Sequence, residues 1–116
     1  GELPRDAALR ELREECDVNG KVTGIYAIRE NLTEIGPAVF IAYSVELDPG
    51  QVPVASSEIA ETGFVNVAKF EELQWVSTAM KSIATNALIQ TPFATLDYSD
   101  QRGYPYLLHQ NGDVKI

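Results

Sequence analysis

The segment Arg10-Glu11-Leu12-Arg13-Glu14-Glu15 constrains this chain more than any other. It lies in a stretch, residues 4 to 16, whose apolar positions recur at helical spacing: Ala8 and Leu12 are four apart, Leu9 and Leu12 three apart. Pro4 suits the first turn, where a missing N–H costs nothing. Asp17-Val18-Asn19-Gly20 supplies the turn residues that end the helix. On such a helix Glu11 and Glu15 are one turn apart and Glu14 is three from Glu11, so the carboxylates crowd one face. Like charges at that spacing cost roughly 0.2–0.5 kcal/mol per pair. Arg10, four residues before Glu14, offsets part of that cost, whereas Arg13 lies elsewhere on the helix. Two readings follow: a solvated amphipathic helix with charge pairs, or a face offering the oxygen ligands that hard divalent cations require.

Beyond the helix, Lys21 to Glu30 (KVTGIYAIRE) is rich in β-branched and aromatic residues and reads as a strand. Pro37 to Leu47 (PAVFIAYSVEL) reads as a second, and its more continuous apolar run suggests a central position. Asp48-Pro49-Gly50 closes it, residues 50 to 58 read as a loop, and Thr62 to Val67 (TGFVNV) as a short third strand. Ala68 to Leu73 fits a helical turn or two. Ser77 to Gln90 fits a helix, because Met80, Ile83, Ala84, Ala87 and Leu88 form one apolar stripe. Asn111-Gly112 between apolar runs signals a C-terminal hairpin. The chain is therefore expected to be one α+β domain spanning residues 1 to 116.

With 17 acids against 9 bases, the net charge of −8 argues against a nucleic-acid-binding module, whose affinity rests on Lys and Arg. A phosphorylated ligand stays compatible where a cation supplies the positive charge. No apolar run approaches the roughly 20 residues of a membrane span, and the first residues lack a signal peptide's apolar core. A single cysteine, Cys16, fits a reducing, cytoplasmic setting.

The spacing of charges around the helix resembles the Nudix box, G-x5-E-x7-R-E-U-x-E-E-x-G-U, with U aliphatic. Glu2 stands at the first Glu, seven residues separate it from Arg10, and Glu11, Leu12, Glu14, Glu15 and Val18 follow in register. Asp17 departs from the pattern, occupying the position of the second Gly, and the leading Gly would fall before residue 1. The resemblance implies an α/β/α sandwich with a mixed sheet, with the strands preceding the box absent from this chain. It implies Mg²⁺, or Mn²⁺ in its place, held by Glu11, Glu14 and Glu15, with Arg10 orienting Glu2 through a bidentate pair. The implied reaction is hydrolysis of a nucleoside diphosphate linked to another moiety X, the cation lowering the pKa of the attacking water. Glu58 and Glu61, ahead of the third expected strand, resemble the loop glutamate that serves some relatives as general base; both also read as solvated loop acids.

The expected partner is a small-molecule nucleotide, with a homodimer expected if sheet edges are left exposed. The competing reading is a Nudix-like domain that senses a nucleotide without turnover; three mutually repelling carboxylates favour the enzyme. Tyr98, Tyr104 and Tyr106 read first as packing residues and second as faces on which a base stacks. His109 reads as structural, Cys16 as a small buried residue, and Trp75 as a packing anchor.

Overall fold

A computed structural model describes residues 1–111. The helix α1 spans Pro4–Cys16, with Pro4 in the first turn. It ends at Asp17, whose φ of 56° and ψ of 38° place it in the left-handed region while its N–H bonds to the Arg13 carbonyl. The chain then enters a long antiparallel hairpin, β1 (Gly20–Thr33) and β2 (Gly36–Leu47). Its tight turn uses Gly36 at φ 126°, and the Thr33 hydroxyl donates to the Gly36 carbonyl at 2.8 Å. The hairpin is not regular. The pairing steps past Thr23 and Tyr26, leaving two bulges on β1 that bend it.

Residues 48 to 66 run as irregular chain. A 3-10 helix, Val67–Glu72, follows, with the Asn66 side chain accepting from the Ala68 N–H. The helix α2 spans Thr78–Ala87 and is capped by Ser77, whose hydroxyl accepts from the Met80 N–H. A second antiparallel pair, β3 (Ala94–Asp97) and β4 (Leu107–Gln110), encloses the one-turn helix α3 (Ser99–Arg102). The element on which the rest gathers is β1, which packs against α1, α2, β2 and β3.

The architecture is α+β with two two-stranded antiparallel sheets. Several expectations are corrected. The described strands form no mixed sheet, and among them β2 is not central, because it pairs with β1 alone. Thr62 to Val67 is not a strand: its β-branched residues find no neighbouring backbone to pair with. The apolar stripe of α2 is half-buried at Met80, Ile83, Ala84 and Ala87, while Leu88 is exposed. Cys16 is half-buried. The expected hairpin at Asn111-Gly112 lies mostly outside the described residues, and β4 pairs with β3. Among the described residues the fully buried large side chains are Val18 and Ile25, so the core sits where the end of α1 meets β1.

Candidate functional site

The charged face of α1 is organised by Arg10. Its Nε and Nη2 lie 3.0 and 2.7 Å from the same Glu2 oxygen, Oε1. Its Nη1 lies 3.2 Å from Oε2 of Glu14 and 3.4 Å from Oε1. The guanidinium thus bridges a carboxylate eight residues before it and another four after it. The contact with Glu2 uses two N–H groups on one oxygen, where a fork on two oxygens was expected. The hydrogen bonds from Arg10 hold the Glu2 carboxyl below its usual range, and those from Glu2 raise Arg10 further. All three groups are open to solvent, which screens their attraction, so the bridge fixes position more than it stabilises the fold.

Glu11 is exposed and Glu15 half-buried. The end of α1 next to Glu15 is covered by the loop after β2: the Ser56 N–H donates to the Glu15 carbonyl at 3.0 Å, and the Val54 N–H to the Cys16 carbonyl at 2.8 Å. The two donors are two residues apart, and both reach the same helix end. They satisfy helix-end carbonyls that have no partner within the helix. Glu58 follows two residues after this attachment and is exposed, its own N–H donating to the Ser56 hydroxyl at 3.4 Å. Glu61, three residues further, is exposed in irregular chain. Residues 50 to 58 read as plain loop in sequence; Val52-Pro53-Val54, whose Pro disfavours helix at the residue before it, is the local signal nearest to this docking.

Glu11, Glu14 and Glu15 offer oxygen donors, the set magnesium and manganese prefer. Among the described residues no three Asp, Glu, His or Cys side chains converge as placed to hold a metal ion. Glu14 is turned toward Arg10, so its carboxylate is shared with the guanidinium.

A second region has no signature in the sequence. The first residues of α1, the middle of β2 and the segment leading into β4 enclose a cleft of about 350 Å³. Arg5, Tyr43, Tyr106 and His109 line it together with apolar residues. Burial pushes the Tyr43 hydroxyl up, and burial, reinforced by Arg5, pushes the His109 imidazole down. His109 Nδ1 pairs with the Thr95 hydroxyl at 2.9 Å, in keeping with a structural role. Hydrogen bonding from Ser99 holds Asp97 below the usual carboxylate range. Trp75 packs edge-on against Phe70, with ring centres 5.3 Å apart, and its indole N–H donates to the Phe70 carbonyl. Tyr98 and Tyr104 both lie against Tyr106.

No protein-family model, curated protein or solved structure matches this chain.

Proposed function

We propose that this chain carries a Nudix-type catalytic helix and hydrolyses the diphosphate linkage of a nucleoside diphosphate joined to another moiety. The observation that carries the reading is the Arg10 bridge. One guanidinium holds Glu2 and Glu14 at the box spacing, on the helix that also presents Glu11 and Glu15. In this reading Glu11, Glu14 and Glu15 hold Mg²⁺ or Mn²⁺, which when bound neutralises charge on the phosphoryl oxygens. Arg10 orients Glu2 and Glu14 through its hydrogen bonds to both carboxylates. In this reading the general base is Glu58 or Glu61, with Glu58 the nearer in sequence to the loop's attachment at the end of α1. The unit of α1 on β1 and β2 belongs, in this reading, to a Nudix-type α/β/α sandwich. Its partners are a small-molecule nucleotide and a second copy of the chain.

The test is hydrolysis of a panel of nucleoside diphosphate derivatives with Mg²⁺ or with EDTA. Phosphate-containing products are expected only with the cation. Glu14→Gln and Glu15→Gln should each lower turnover at least on the order of 10–100-fold, the scale for groups that hold or orient a catalytic metal. Turnover indifferent to both substitutions overturns the ligand assignment. Nucleotide binding with no turnover in any condition transfers the protein to the class of nucleotide-sensing domains, and neither binding nor turnover overturns the family reading.

A further inference from the structure

In a chain of 17 acids, the cleft at the start of α1 is lined by no carboxylate among the described residues. The cation in its lining is Arg5, which is half-buried and takes part in none of the ion pairs formed among those residues. Asp97 and Asp6 lie near enough to act on the cleft through their charge but do not line it. His109, beside Arg5, is held toward its neutral form. The remaining walls are apolar or aromatic: Pro4, Ile41, Tyr43 and Tyr106. Tyr106 is braced by the Arg102 guanidinium, 4.7 Å above its ring, and by Tyr98 and Tyr104. A cleft of about 350 Å³ with apolar walls and few polar groups has the size and character of a small-ligand site.

We propose that this cleft binds an aromatic heterocycle carrying an anionic group, with the ring against Tyr106 and Tyr43 and the anion at Arg5. The proposal rests on the nucleotide-hydrolase reading and assigns the nucleoside end of the substrate to a place. Arg5 and the acidic face share one helix: at about 1.5 Å per residue, Glu11 to Glu15 begin about 9 Å along the axis from Arg5 and end about 15 Å from it. At about 3.6 residues per turn Glu11 and Glu15 also lie roughly 120° and 80° around the helix from Arg5, and Glu14 roughly opposite it, so a nucleotide that spans both regions passes around α1 as well as along it.

The probe is adenosine 5′-monophosphate, added in EDTA to the full chain and followed through the NMR signal of His109, the chain's single histidine. A saturable shift is expected, with adenosine and ribose 5-phosphate each binding about tenfold more weakly, since stacking and charge each contribute on that scale. Arg5→Gln should weaken the monophosphate about tenfold and Arg5→Lys should restore most of the loss, which a folding defect would not do. A non-saturating response, a monophosphate no tighter than its two halves, or an Arg5→Gln protein that binds normally overturns the proposal. The two readings fail separately. Monophosphate binding without magnesium-dependent turnover keeps the cleft and removes the hydrolase, whereas turnover whose KM is unmoved by Arg5→Gln removes the cleft.

Discussion

Asp17 shows how one residue joins the sequence pattern to the site. It stands where the box pattern has glycine, and the structure gives it the left-handed conformation, φ 56°, that glycine adopts without strain. Asp tolerates this conformation because a short polar side chain crowds the backbone little and bonds locally. The residue sets the exit of α1, so it also sets where Glu15 and the Ser56 hydrogen bond meet. A β-branched side chain has no such tolerance. Asp17→Val is expected to lower stability by about 1–2 kcal/mol, the cost of a left-handed L-residue. Asp17→Gly should change it by less than about 1 kcal/mol, because relief of strain is offset by the freer unfolded chain. Urea unfolding followed by circular dichroism measures both; a valine variant as stable as the parent would show that the helix exit does not depend on this conformation.

At the scale of elements, what was legible had length and period. The helix α1 was readable from Ala8, Leu9 and Leu12, α2 from its stripe, and β1 and β2 from their β-branched runs, each within a few residues of the observed ends. The Arg10–Glu14 contact was readable too, because it is set by one helical turn; the Glu2 contact depended on the box pattern. The short elements β3 and α3, four residues each, hold no period to read and exist through partners: β3 through β4, and α3 through Asp97 and Ser99. The bulges at Thr23 and Tyr26 were invisible for the same reason, since they arise from pairing. They bring Gly24 so close to the next segment that an added Cβ would lie 2.3 Å from the Phe93 carbonyl oxygen and 2.9 Å from Pro92 Cβ. Backbone cannot yield there without breaking the mutual Ile25–Phe93 hydrogen bonds. Gly24→Ala is expected to cost about 1–3 kcal/mol, the range for overpacking. It should also speed hydrogen exchange at the Ile25 and Phe93 amides; unchanged melting and unchanged exchange would remove this junction from the account of the fold.

The whole molecule is more open than its length requires. Its accessible surface is 9085 Å², against roughly 6200 Å² for a compact monomer of this mass. Its radius of gyration is 16.0 Å, against about 13.4 Å for a compact chain of this length. The difference has an address in the side chains: Leu32, Ile35, Val76 and Ile89 are each more than four-fifths exposed. Leu32 and Ile35 stand at the tip of a two-stranded hairpin whose outer edges, among the described residues, are unpaired along most of their length. A surface of this kind is buried most simply against a second copy, which brings the same apolar tip and the same open edge. The net charge of −8 opposes that approach, and its reach falls to about 8 Å at physiological ionic strength. Self-association is therefore expected to rise with both protein and salt concentration, as measured by light scattering. Leu32→Lys with Ile35→Lys should shift the population toward monomer without unfolding the chain, since neither side chain is buried. A monomer at every concentration and salt would mean that the exposed tip is tolerated in water, and the expectation of a homodimer would then be withdrawn.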